Sequence, residues 1–492
     1  MATAERYTIR QRFGYVAGPA SFLLVRYAVP GVGGAGAGNV VFATAIWMAT
    51  WWITEAVAIP VTSLLPVVVF LTTGVASAQA AAAPYADPVV FLFLGGFLLA
   101  LTIERWGVHR RVALTILARV GGAYRRLVLA VLLTTAFLSM WLSNTAAATL
   151  MLPIGLALVD RDGAAAGVEA GSEALQAGRT PRRPGTGIFL AIAYGASIGT
   201  IATIVGTPAN AILVGVARST LGIQIGFLQW MAVGVPVTAT FLVVAWVVIL
   251  ALVPRPEGDS LGNGDHLAEA RTALGPMDRA ERRTVAVFVL VVLGWLLRPS
   301  VLAPLVPAVT DATVAVVGTL LFVVPVDWRE GTFLLDWETA LRVPWGVLLL
   351  FGGGFSLAAA VHDSGLDRWI ADALGGLGGV DPVLVVGTII LVIVFLTEVT
   401  SNSATATVFV PLVASLAVVL AVPALPLMVG VALAASFAFM LPVATPPPNA
   451  VVFGSGQVSV PQMARVGLVL NLLGTAFLVA VVLWWVPLVF PG

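Results

Sequence analysis

The chain has 492 residues, of which 59% are hydrophobic and only 10% charged, with a mean hydropathy of +1.02 and a formal net charge of +1. A soluble domain needs far more charge to cover its surface, so composition indicates an all-α polytopic protein of the lipid bilayer. Cysteine is absent, which excludes disulfides and thiolate metal sites, and a near-neutral chain gives no ground for a nucleic-acid partner.

The three histidines, His109, His266 and His362, fall in charged stretches that read as loops. They form no zinc constellation and no histidine-based nucleophile relay. In chain order, the start lacks an apolar core followed by a small-residue cleavage site, so no removable signal peptide is expected. Arg6, Arg10 and Arg12 place the N-terminus in the cytoplasm by the positive-inside rule. A short span at about 14–29 and two longer ones at about 40–52 and 57–73 follow. The segment from Val89 leads into Arg105, Arg110, Arg111, Arg119, Arg125 and Arg126, a basic cytoplasmic stretch. Residues 160–187 carry four more arginines, and 254–283, the most polar stretch, reads as a cytoplasmic linker. Arg26, Arg218 and Arg298 do not follow this pattern and are expected to snorkel at the outer interface.

The chain also repeats itself. Gly95-Gly96-Phe97 returns as Gly353-Gly354-Phe355, Ser143-Asn144 as Ser401-Asn402 and Pro153 as Pro411, all at a constant offset of 258. Thr207-Pro208-Ala209-Asn210 returns as Thr445-Pro446-Pro447-Pro448-Asn449 after a change of offset. The apolar segment around Ser143 starts and ends at basic loops, so it enters and leaves on the cytoplasmic side. Its twin around Ser401 is flanked by 375–382 and 422–426, which contain no arginine. Two re-entrant hairpins from opposite faces make an inverted repeat, with both Ser-Asn tips inside the membrane.

The first tip reads Ser139-Met140-Trp141-Leu142-Ser143-Asn144-Thr145 and the second Thr397-Glu398-Val399-Thr400-Ser401-Asn402-Ser403. Broken helices follow at Gly206-Thr207-Pro208 and Ala444-Thr445-Pro446. Proline lacks an N–H and strains the preceding turn, which frees carbonyl oxygens. With hydroxyl and amide oxygens these suit a hard cation such as sodium, while half-helix N-termini suit an anion. Neither tip contains Arg or His, so a bound anion relies on hydroxyls, amides, dipoles and a co-bound cation. Ser and Thr in membrane helices often only bond the preceding turn, and Asn often joins helices. Two symmetric copies, each with a downstream Thr-Pro break, favour the functional reading. Glu55 and Glu398 are expected inside the membrane, Glu55 as an anchor beside Trp51 and Trp52. Glu398 serves either to satisfy N–H groups at its tip or to carry a proton. Gly352-Gly353-Gly354 lacks the Lys-Ser/Thr of a phosphate loop and reads as close helix packing. Trp484 and Trp485 read as interfacial belt residues.

WWITEAVAIPVTSLLP (51–66), LSNTAAATLMLP (142–153), GTPAN (206–210), WGVLLLFGGGFSLAAA (345–360), TEVTSNSATATVFVP (397–411) and ATPPPN (444–449) together resemble the divalent-anion/sodium symporter (INDY-like) family. The resemblance implies about eleven transmembrane helices plus two hairpins, a homodimer, elevator-type movement and transport of di- or tricarboxylates or sulfate. It implies one sodium site at Ser139, Ser143, Asn144 and Gly206 and another at Thr397, Thr400, Asn402 and Ala444. Substrate would meet Ser143, Asn144, Thr145, Thr207 and Pro208 from one half, and Ser401, Asn402, Ser403, Thr445 and Pro446 from the other. This chain departs from the pattern at Ser403, where many members carry Thr, and in the additional proline before Asn449.

The implied division is scaffold helices at 1–126, one transport-domain half at 127–253, a linker at 254–283, a second scaffold part at 284–381 and the other transport half at 382–492. The expected function is sodium-coupled symport of a small divalent anion, most simply a C4-dicarboxylate, across the cell membrane. Alternatives are a sodium-independent dicarboxylate exchanger and a sulfate or citrate symporter; hydroxyls at both Ser139 and Thr397 favour symport. An intramembrane enzyme would need a Ser–His or paired-Asp arrangement in the membrane, which the sequence lacks, and a passive anion channel is the remaining rival.

Overall fold

The computed structural model describes residues 7–29, 31, 33, 36–120, 123–159, 185–254, 269, 271–374, 381–420, 422–442 and 447–491. The described elements are helical except for one antiparallel ribbon, Pro325–Asp327 against Thr332–Phe333, turned by Gly331 at φ 67. The all-α expectation holds apart from this ribbon. Five described helices are long and apolar enough to cross a membrane by length and composition: Ala78–Arg105, Phe227–Leu252, Arg279–Leu305, Trp345–Asp363 and Val460–Val489.

The repeat is kept to the residue. The first arms of the two hairpins are Tyr124–Ser139 and Pro382–Thr397, 16 residues each. Their second arms begin at Asn144 and Asn402. These three pairs of boundaries all obey the offset of 258. A 16-residue helix is about 24 Å long, short of a hydrocarbon core of roughly 30 Å. Each hairpin thus has arms suited to dipping into a bilayer and turning back.

After hairpin 1, Thr186–Gly199 is buried at every residue, as a helix that is apolar all round must be. The chain then unwinds through short 3₁₀ turns at Thr200–Ala202 and Ile204–Gly206, with Thr203 and Thr207 extended. It resumes as Pro208–Leu221, where proline at the first helical position sacrifices no hydrogen bond. The second repeat runs Ala424–Ala434, then non-helical backbone at 435–442, and has its next helix at Pro447–Gly454.

The two repeats exchange their post-break helices. Pro208–Leu221 packs on Asn402–Val419 and Ala424–Ala434, while Pro447–Gly454 packs on Asn144–Val159 and Thr186–Gly199. The long helices Phe227–Leu252 and Val460–Ala480 also pack together, with Phe241 among Phe437, Phe439 and Phe477. Each long helix presents a glycine to the unwound segment of its own repeat. A Cβ at Gly234 would collide with the Ile201 carbonyl, and one at Gly467 with the Phe439 carbonyl.

Several expectations are corrected. The span at 57–73 is broken into Ile59–Thr62 and Leu65–Thr73, because Pro66 cannot donate to the preceding turn. His109 and His362 lie on helices, not loops, and His266 is outside the described residues. Arg218 and Arg298 do not simply snorkel: they are paired with Asp87 and Asp311. Glu55 sits at φ 50 after the Ala37–Thr54 helix, 3.8 Å from Arg10. The close helix packing expected of Gly352, Gly353 and Gly354, by contrast, is present: added Cβ atoms would strike Tyr85, Ser63 and Thr407.

Candidate functional site

Hairpin 1 ends its first arm at Ser139, whose hydroxyl donates to the Ala196 carbonyl at 2.6 Å. Ser143 caps the second arm, its Oγ accepting from Ala146 N at 3.2 Å. The Asn144 amide oxygen folds back on its own helix start, accepting from Thr145 N at 2.9 Å. Hairpin 2 repeats this helix–turn–helix plan, but its side chains bond differently. The Thr397 hydroxyl lies 2.9 Å from the Ala435 carbonyl and also 3.0 Å from Asn402 Oδ1, so the second tip is clasped across its turn. Thr400 Oγ1 turns instead to the Leu396 carbonyl and to Thr405 Oγ1. Ser401 is extended and opens the second arm, and Ser403 follows within its first turn.

The unwound segments are braced from below by the motif asparagines. Asn210 Nδ2 donates to the carbonyls of Thr200 and Thr203, and Asn449 Nδ2 to that of Leu441. Because the NH₂ groups are committed to carbonyls, the outward atoms must be Oδ1. Ser197 Oγ, Asn210 Oδ1, Ser436 Oγ and Asn449 Oδ1 are buried with no partner among the described residues. Gly206 and Thr207 are buried at the first break, and a side chain at Gly206 would strike the Thr200 carbonyl. Ala444, Thr445 and Pro446 lie outside the described residues.

The chemistry on offer is therefore neutral oxygen. Hydroxyls, amide oxygens and main-chain carbonyls converge at both tips, a donor set that suits a hard monovalent cation. Helix starts at Asn144, Asn402 and Pro208 add positive dipole ends, which suit an anion. The carbonyls of Ala196 and Ala435 escape sequence reading, since a backbone oxygen 57 or 38 positions away leaves no mark in a motif.

Glu398 is buried at 3% exposure and has a structural job. Its Oε1 accepts from Phe439 N (2.6 Å), Met440 N (2.9 Å) and Asn471 Nδ2 (2.8 Å), and its Oε2 from Leu441 N (3.0 Å). It satisfies the N–H groups of the unwound segment, not those of its own tip. The first repeat carries Met140 at the same offset. Asn471 is the signal available in sequence: an amide in the middle of an apolar helix.

A cavity of about 720 Å³ opens beside hairpin 1. Ser143, Thr145, Thr149, Pro153 and Ala157 form one wall, along one face of the second arm, and Glu104, His109, Arg110 and Leu114 line the other. No described residue of hairpin 2 borders it.

Residues 20–490 match the family model described as "Sodium:sulfate symporter transmembrane region". The sodium-dependent dicarboxylate transporter SdcS of Staphylococcus saprophyticus is 39% identical, over 98% of this chain and 93% of its own. Its namesake from Staphylococcus aureus strain USA300 is 38% identical, over 98% and 92%. Among solved structures, the Alcanivorax borkumensis YdaH transporter, described as having an unusual topology, superposes with a TM-score of 0.55. It covers 86% of this chain and 89% of its own, and at 15% identity that likeness concerns the fold. An intramembrane enzyme is thereby set aside. With 98% of the chain aligned to such relatives and the family model spanning nearly all of it, this multi-pass membrane protein belongs to the sodium:sulfate symporter family of divalent-anion/sodium transporters.

Proposed function

We propose that the protein is a sodium-coupled symporter of a small divalent anion, with a C4-dicarboxylate such as succinate, malate or fumarate as substrate. The observation that carries this reading is the pair of hairpin tips, where hydroxyl, amide and carbonyl oxygens converge without a fixed cation. A dianion held by neutral groups in a low-dielectric site is untenable without compensating charge, and sodium supplies it. The names of the two staphylococcal relatives agree with both ligands.

In this reading Ser139, Ser143, Asn144 and Gly206 hold one sodium ion, with the Ala196 carbonyl beside Ser139. Thr397, Thr400, Asn402 and Ala444 hold the second, with the Ala435 carbonyl beside Thr397. The anion lies between Ser143, Asn144, Thr145, Thr207 and Pro208 on one side and Ser401, Asn402, Ser403, Thr445 and Pro446 on the other. Each Asn turns its carbonyl oxygen to sodium and its NH₂ to the anion, which links the two ligands. In hairpin 1 this requires Asn144 Oδ1 to leave Thr145 N. The hairpins and broken helices at 127–253 and 382–492 move as one body against the scaffold parts at 1–126 and 284–381, in a homodimer of the cell membrane. The N-terminus and the linker at 254–283 are cytoplasmic. The reciprocal exchange of post-break helices supports this, since it ties the two transport halves into one unit.

Linkage supplies the test. Sodium must raise anion affinity, and anion must raise sodium affinity, by the same factor. Calorimetry of succinate in sodium and in choline should show far tighter binding in sodium. Equal affinities would replace symport by sodium-independent exchange. Uptake of succinate, citrate and sulfate into proteoliposomes with an imposed sodium gradient then ranks the anions, and non-saturable flux would point to a channel.

A further inference from the structure

The cavity beside hairpin 1 joins tip residues Ser143 and Thr145 to a charged wall of Glu104, His109 and Arg110. Arg110 lines the cavity; of its neighbours, Arg105 and Arg111 adjoin lining residues in the chain and Arg342 is bonded to Glu104, and these three are committed. Arg105 pairs with Asp336, Arg111 with Glu281 at 2.8 Å, and Arg342 with Glu104 at 2.6 Å. Asp336 is held ionised, its carboxyl lowered below the usual range first by the Thr339 N–H. Arg110 alone among the four has no ion pair with a described residue, and it is exposed on the cavity wall. Since Arg342 offsets Glu104, the wall keeps one uncompensated positive charge. His109 places Nδ1 2.9 Å from the Ile103 carbonyl, so Nδ1–H donates there and Nε2 remains as its other polar atom. On the facing wall Ser143, Thr145 and Thr149 supply hydroxyls leading away from the tip.

We propose that Arg110 and His109 form a second anion-binding position, a way station that takes one carboxylate of a small dicarboxylate between hairpin 1 and bulk water, without sodium. It rests on the transport reading for its ligand but not for its chemistry. The tips need sodium because they carry no cation, whereas the way station carries its own. A guanidinium pairs with a carboxylate through two parallel N–H bonds, and the Thr149 hydroxyl on the facing wall offers the dianion's second carboxylate a hydrogen bond. An exposed pair of this kind is screened by salt and changes occupancy by up to about fivefold.

The chain has no native cysteine, so Ala157→Cys, on the exposed cavity wall, reports without background. Purified protein is alkylated with a neutral maleimide in choline buffer while succinate is titrated. Succinate should slow alkylation without sodium. Arg110→Gln should raise the half-protective concentration by about fivefold, and Arg110→Lys, which keeps the charge, should restore most of the protection. Protection should persist in Asn144→Ala, which disables the tip. Protection that requires sodium, or that Arg110→Gln leaves unchanged, overturns the way station. Sodium-driven succinate uptake is measured alongside: if uptake is absent while sodium-free, Arg110-dependent protection remains, the transport reading fails and the way station stands.

Discussion

Replacing Glu398 by glutamine tests whether the buried carboxylate holds the second break together. In the native protein its two oxygens accept four N–H bonds, three at Oε1 and one at Oε2. A glutamine in the same position can keep its carbonyl oxygen toward Phe439, Met440 and Asn471. Its NH₂ then faces Leu441 N–H, donor against donor. One unsatisfied buried donor costs about 1–3 kcal/mol, and three retained bonds each lose roughly 1 kcal/mol when the acceptor is no longer charged. The sum is about 4–6 kcal/mol before relaxation. At roughly 2 cal/mol/K per residue, unfolding a chain of this length has an entropy near 1 kcal/mol/K, so the melting temperature should fall by about 5 °C. Thermal unfolding in detergent, without sodium or succinate, isolates this effect from ligand binding. A cycle with Asn471→Ala should show a coupling of about 1–2 kcal/mol, because the two side chains are in direct contact. A Glu398→Gln protein that melts with the wild type would refute the clamp and return Glu398 to the proton-carrying role.

Gly234→Ala and Gly467→Ala should each lower stability by about 1–3 kcal/mol, because the new methyl meets a backbone carbonyl that can yield only by moving the unwound segment. Gly454→Ala, with open space around it, should be neutral in the same melting experiment. Asn144→Ala and Asn402→Ala should each abolish sodium-driven uptake at normal expression. Asn402→Ala should also lower the melting temperature more, since only Asn402 clasps its hairpin through Thr397. A cysteine at Ser172 should react with an impermeant reagent only after permeabilisation, and one at Ala424 in intact cells; labelling of both from outside would remove the inverted topology.

Much of this architecture is legible in the sequence, for a specific reason. The offset of 258 ties both hairpins to one backbone plan, so Ser139 and Thr397 close their helices and Asn144 and Asn402 open theirs at matching positions. Local chemistry carried the first break as well: Thr207-Pro208 marks where a helix must start. What escaped depends on distant partners. Glu398 was ambiguous because its donors lie at 439–441 and 471, and no local pattern selects them. Composition masked the interruption at 63–64, since both flanks are equally apolar, although Pro60 and Pro66 were visible clues. The ion pairs of Arg218 and Arg298 were likewise invisible, because each acid arrives from elsewhere in the chain.

The exchange of post-break helices has a consequence for biosynthesis. Hairpin 1 begins at Tyr124, yet one of the helices that covers its second arm, Pro447–Gly454, emerges from the ribosome about 300 residues later. Until then the face of Asn144–Val159 that this helix covers has only lipid, the insertion machinery or a chaperone against it. A chain stopped anywhere before residue 447 therefore presents an unfinished hairpin, a ready signal for membrane quality control. Two separately expressed halves, by contrast, have the information to find each other, because each carries the piece that completes the other.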